Sequence, residues 1–110
     1  MSVYFAKCSR TGDIKIGTSD YPPARVREVG FARKAKVVLM AEIRGEFDEE
    51  IRFHLKFIDD CTGGEWFRPT PELMETIEAI KAGSFDIASL PKRTFRPRHK
   101  MWPKVVGDAA

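Results

Sequence analysis

Apolar and polar positions change period several times along the chain, and each change predicts an element. Val3 to Cys8 is rich in β-forming and aromatic residues, and in Asp13 to Gly17 the isoleucines Ile14 and Ile16 alternate with polar neighbours. Ser9-Arg10-Thr11-Gly12 lies between them, with a glycine able to take a positive φ, so the two stretches predict a β-hairpin. Asp20 before Pro22-Pro23 predicts a helix start, with Asp as the cap and proline in the first turn. That helix runs from about Pro22 to Phe31, with Val26 and Val29 on one face. Lys36 to Ile43 holds the run Val37-Val38-Leu39-Met40, whose near-continuous apolar character fits a buried central strand. From Glu46 the period becomes helical, with Phe47, Ile51, Leu55 and Ile58 as the apolar line. Asp59 to Gly64 ends this helix, with paired Gly63-Gly64 giving a flexible turn, and Glu65-Trp66-Phe67-Arg68 reads as a short extended piece. Thr70, Pro71 and Glu72 then open a helix whose buried stripe is Leu73, Ile77 and Ile80 and which Gly83 stops.

The order hairpin, helix, strand, helix, short aromatic segment, helix predicts an α/β fold. Its natural form is a small three-stranded sheet, antiparallel or mixed, flanked by helices. Residues 1–83 make the domain. Residues 84–110 carry Pro91, Pro97 and Pro103 without a helical period, and read as an extended basic C-terminal arm.

Composition narrows this picture little, since 110 residues with 43% hydrophobic and 32% charged content suit one globular domain. No apolar run approaches the roughly 20 residues of a membrane span, and Met1-Ser2-Val3-Tyr4-Phe5 lacks the pattern of a secretory signal. A cytoplasmic protein without membrane contact is therefore expected, with Cys8 and Cys61 as free thiols. Charge distribution says more than the net +3. Residues 1–45 hold nine Lys/Arg against four Asp/Glu, residues 46–91 four against eleven, and residues 92–110 six against one. A basic front and tail around an acidic middle suit a polyanion that must approach a carboxylate-bearing site.

Four pieces of the chain, in order, resemble a known family. Val3-Tyr4-Phe5 resembles the GIY element, Lys15-Ile16-Gly17 the YIG element, and Ser19-Asp20 with Pro22 and Arg25 the signature at the first helix. Glu50 with His54 and Phe57, followed by Gly64-Glu65-Trp66-Phe67, resembles the second-helix and GEWF elements of the phage-associated branch of the GIY-YIG nuclease superfamily. The likeness spans about Val3 to Phe67. It implies a metal-dependent endonuclease that hydrolyses DNA phosphodiester bonds, with RNA as the alternative substrate. It places Tyr4, Arg25 and Glu50 on one face of the sheet, with Glu50 holding a single Mg²⁺ or Mn²⁺ ion. The second motif begins with Lys15 where the family name has tyrosine, a mark of that branch, and Val29 stands where some relatives carry histidine.

These residue types fit the chemistry. Phosphodiester hydrolysis needs an activated water, neutralised phosphoryl oxygens and a stabilised leaving oxygen. A carboxylate suits a hard cation, and arginine brings a permanent charge with forked donors. Lys15 on the neighbouring hairpin strand is expected beside Tyr4, where its charge would favour the phenolate. Glu50, His54 and Phe57 share one helical stripe beside the apolar line, so Glu50 is expected half-buried at the core's edge while Glu46 and Glu49 point elsewhere. His54 could ligate metal, contact phosphate or close a core hydrogen bond. In the arm, Lys92, Arg93, Arg96, Arg98 and Lys100 interleave with Phe95 and Trp102, a pattern suited to phosphates and stacked bases. The same arm could instead fold onto the acidic middle of its own chain. Two other readings remain: an accessory or regulatory protein that binds nucleic acid with little or no turnover, and a protein-interaction domain.

Overall fold

The computed structural model describes residues 1–92. Five strands, β1 (Ser2–Cys8), β2 (Ile14–Ser19), β3 (Val37–Arg44), β4 (Cys61–Gly63) and β5 (Trp66–Phe67), form one sheet in the order β3-β1-β2-β5-β4. All its pairings are antiparallel. Helices α1 (Pro22–Arg33), α2 (Phe47–Lys56) and α3 (Pro71–Lys81) pack around it. The α/β class matches expectation, but the sheet has five strands and not three. The aromatic segment turns back at Gly63-Gly64, both at positive φ, and pairs with β2 on one side and β4 on the other. The aromatic stretch is extended as expected, while the three-residue β4 carries too little pattern to be read in advance.

β1 is the centre of the sheet. Val3, Phe5 and Ala6 are fully buried and Tyr4 nearly so, because β1 has a strand on each side and helices on both faces. Phe5 joins Ile14, Ile16, Ile51, Phe53, Leu73 and Ile77 in the main core under α2 and α3, with Phe5 and Phe53 meeting edge to face at 5.1 Å. Tyr4 and Ala6 pack with Val26 of α1 on the other face. β3, expected as a buried central strand, is instead an edge strand that alternates between partial burial and exposure. Its apolar run reflects helix cover on both faces rather than strands on both sides. The predicted α2 stripe also shifts. Phe47 is 48% exposed at the helix start, and Phe53 and Phe57 take the core positions beside Ile51.

Helix starts follow different rules at the three helices. Thr70 caps α3 as expected, its hydroxyl accepting from the Leu73 N–H at 3.2 Å. Asp20 does not cap α1; Tyr21 is the N-cap, and Ser19 Oγ takes the Tyr21 N–H at 3.0 Å. At α2 the acids Glu46 and Glu49 form a reciprocal capping box, with Glu49 Oε1 2.8 Å from the Glu46 N–H. That leaves Glu50 free to point into the fold. Of the arm, residues 84–92 are described. Phe85 and Ile87 pack against the core and Leu90 is buried, while Arg52 donates to the carbonyls of Ile87, Leu90 and Pro91. Lys92 is exposed, and Arg93, Arg96, Arg98 and Lys100 lie outside the described residues. Among the described residues no helix is long and apolar enough to cross a membrane.

One close approach fixes the hairpin register. Tyr4 lies opposite Gly17, and a Cβ on Gly17 would come within 2.7 Å of the Tyr4 hydroxyl and 2.8 Å of its Cζ. Gly17→Ala should therefore cost about 1–3 kcal/mol through overpacking, measured by urea denaturation. In a Tyr4→Ala background most of that increment should vanish; strict additivity of the two costs would contradict this account.

Candidate active site

β2 is paired along its whole length to β1, but β5 meets it only at Ile14 and Lys15. One further backbone bond joins Ile16 N–H to the Glu65 carbonyl. Beyond it, among the described residues, no strand covers the outer edge of β2 at Gly17–Ser19. Side chains from both faces of the sheet meet at that edge. Tyr4 and Lys15 lie on the face covered by α1, while Glu50 and His54 come from α2 on the other. The family likeness implied a single face; here the groups converge around an edge.

Glu50 is 3% exposed, far more buried than the half-buried position expected of it. Its Oε1 accepts from Thr18 Oγ1 at 2.8 Å, and its Oε2 lies 3.5 Å from His54 Nε2. His54 Nε2 is also 2.8 Å from the Ile16 carbonyl, which can only accept, so that nitrogen carries the proton. Burial holds His54 below its usual pKa and hence neutral. Of its three expected roles, the geometry fits the core hydrogen bond: His54 ties α2 to β2 and orients Glu50.

Glu65, from the aromatic segment, completes the cluster. Its carboxylate takes a 2.8 Å salt bridge from Lys15 Nζ and lies within hydrogen-bonding reach of Glu50. Two carboxyls so close cannot both ionise cheaply. Burial, reinforced by the Glu65 charge, pushes Glu50 up to about 8. Burial pushes Glu65 upward too, but the Lys15 ammonium outweighs it and holds that carboxyl below the usual range. The pair therefore shares one proton, held by Glu50, with Glu65 ionised. The Glu65 side chain is 42% exposed against 4% for Glu50, so Glu65 is the member that faces solvent.

Lys15 thus does not sit beside Tyr4 as expected. The basic group on Tyr4 is Arg25, whose side chain hydrogen-bonds the phenol from α1 while also pairing with Glu28 at 3.1 Å. Nor is the phenolate favoured. Burial raises Tyr4 to about 12, and the charges of Glu65 and Glu50 add to the rise against the opposing effect of Arg25. Tyr4 keeps its proton at neutral pH. Trp66 is buried, and its ring also carries the Arg33 guanidinium at 3.9 Å and Lys15 at 5.8 Å. Cys8 and Cys61 are buried and not joined in a disulfide, and the Cys61 thiol donates to the Gly64 carbonyl at 3.6 Å.

The five residues expected to be catalytic, Tyr4, Lys15, Arg25, Glu50 and His54, meet in one neighbourhood. Glu65 and Thr18 belong with them and were missed as site residues. For Glu65 the signal was its place between a Gly-Gly turn and a strand pair; for Thr18 only the hairpin register could show it.

The donor set bears on metal binding. Among the described residues no cluster of three or more His, Cys, Asp or Glu side chains suits a metal ion. An all-protein cage is not offered there, whereas Glu50 and Glu65 give two adjacent hard oxygen donors. Mg²⁺ is commonly held by one or two carboxylates together with water and substrate phosphate. The residues present fit that mode. Comparison with protein-family models, with curated proteins and with solved structures finds no match to the chain.

The carboxyl pair makes stability pH-dependent. Folding raises Glu50 from 4.5 to about 8, so the folded chain holds a proton in that interval that the unfolded chain releases. The associated stability is full below the unfolded pKa and is lost as pH rises through about 8. In metal-free buffer, thermal melts of the wild type should fall over this interval relative to Glu50→Gln, which lacks the proton. Parallel pH profiles for the two proteins would contradict the assignment.

Proposed function

We propose that the chain is a metal-assisted phosphodiesterase that cuts DNA, and that its likeness to the GIY-YIG superfamily reflects membership. The observation that supports this most is the junction at the β2 edge, where a proton-sharing carboxyl pair adjoins a Tyr–Arg pair and a lysine. Such a set has a donor for a hard cation, a fixed positive charge for phosphate and a neutral proton donor within one neighbourhood. Cytoplasmic action on DNA is part of the same proposal, as is contact between the basic arm and the nucleic-acid backbone.

Glu50 and Glu65 would hold the cation, which when bound supplies charge neutralisation at the phosphate and an activated water. Arg25, exposed and already turned toward Tyr4, binds a non-bridging phosphoryl oxygen through its forked donors. Tyr4, protonated at neutral pH, gives its hydroxyl proton to the leaving oxygen as the P–O bond breaks. Lys15 keeps Glu65 ionised, and His54 and Thr18 fix the Glu50 rotamer.

A supercoiled-plasmid assay with Mg²⁺ or Mn²⁺ tests the proposal. Wild type should nick or cut the plasmid. Glu50→Gln should lose this activity, and Arg25→Ala should fall by about 10²-fold or more, as for removal of a charge stabiliser in the transition state. Tyr4→Phe should fall by about 10²-fold, the scale of one general-acid contribution. Binding without cleavage by the wild type would favour the accessory-protein reading and overturn the enzymatic one.

A further inference from the structure

α1 separates two kinds of surface, and the side nearest the carboxyl pair is a cleft of about 480 Å³ lined by Lys15, Arg25, Glu28, Val29, Arg33 and Trp66 among others. Two of its three cations are already compensated, Lys15 by Glu65 at 2.8 Å and Arg25 by Glu28 at 3.1 Å. Arg33 is different. Among the described residues it forms no salt bridge, and its Nε is buried without a hydrogen-bond partner. Its guanidinium Cζ lies over the Trp66 ring, 3.9 Å from the centroid. The guanidinium also hydrogen-bonds the Cys8 thiol, so one of its donors has a weak sulfur partner.

A guanidinium stacked on indole is fixed in plane, while its N–H groups remain directed outward along the edges. The Nε is covered and out of reach of a ligand, so an approaching anion would be met by the terminal N–H groups, which have no carboxylate partner among the described residues. Position on the last turn of α1 favours a cation there in any case, but it accounts for neither the stack nor the orphaned Nε. Arg33 lies eight residues after Arg25 on the same helix, about 12 Å along the axis. A phosphate held by Arg25 would thus leave Arg33 over another phosphate of the same strand.

We infer that Arg33, clamped on Trp66, is a binding residue for a phosphate flanking the scissile one, so that the cleft grips the DNA backbone along α1. This rests on the phosphodiesterase reading of the neighbouring site. The grip is built on a planar fork, not on charge alone, and lysine should not replace it.

Binding can be read apart from cleavage. In a Glu50→Gln background, a fluorescently labelled DNA duplex is titrated at several salt concentrations against three further variants. Arg33→Gln should weaken binding about ten-fold and reduce the slope of log Kd on log salt by about one. Arg33→Lys should recover the slope but not the affinity. Arg27→Gln, on the other side of α1, should change affinity much less. A second readout uses Trp102→Phe, in which Trp66 is the remaining tryptophan: its fluorescence should change on DNA addition, and Arg33→Gln should abolish the change. Full affinity in Arg33→Gln, full rescue by lysine, or equal losses in Arg33→Gln and Arg27→Gln would each overturn the inference. If those results accompany wild-type cleavage that Glu50→Gln abolishes, the nuclease reading survives and only the Arg33 subsite fails. Absence of both binding and cleavage in the wild type overturns both.

Discussion

The Glu50 carboxyl, buried against Glu65 at the uncovered edge of β2, is the constraint around which the rest of the site is arranged. A carboxyl in that position is tolerated only because four neighbours answer it. Thr18 donates to one oxygen, His54 faces the other, Lys15 holds the charge of Glu65, and one proton is retained between the two acids. The neighbours come from three separate constraints of the fold. Thr18 and Lys15 are set by hairpin register, His54 by the helical repeat of α2, and Glu65 by the Gly-Gly turn that brings β5 back to β2.

The same constraint explains why the sheet edge stays open. β5 stops at Trp66 and the chain turns away through Glu65, so the end of β2 has no outer strand among the described residues. An extended β5 would pair those backbone groups and fill the space where Glu50 meets Glu65. Gly17 matters for a related reason. Without a side chain, it lets the Tyr4 ring cross β2 and bring its hydroxyl toward the carboxyls. Fold and site are therefore coupled through one short stretch of β2, from Lys15 to Thr18.

Much of this was legible in the sequence, and the failures have identifiable causes. Period and punctuation found the hairpin, all three helices and the Thr70 cap, since those signals are local. Helical spacing singled out Glu50 from Glu46, Asp48 and Glu49, and the capping box shows why Glu46 and Glu49 were unavailable. Strand count failed because the three-residue β4 leaves no period to read, and the aromatic piece, though read as extended, gave no sign that it joins the sheet. The edge position of β3 was hidden because helices covering both faces make the same apolar run as flanking strands do. Lys15 was assigned to the wrong partner because strand adjacency fixes where a side chain starts, whereas its ion pair depends on Glu65, fifty residues away. The rise in the Tyr4 pKa follows from burial that no local pattern encodes.

The proposed function requires that the proton shared by Glu50 and Glu65 in the free protein give way to a divalent cation together with phosphate. Carbon-13 NMR of the glutamate side-chain carboxyls, titrated without and with Mg²⁺ and a cleavage-resistant DNA duplex, tests this most directly. The account predicts that Glu50 titrates at about 8 in the free protein and falls into the ordinary carboxylate range once cation and DNA are present. A Glu50 resonance that titrates as an ordinary carboxylate in the free protein, or that ignores Mg²⁺ and DNA together, would contradict it.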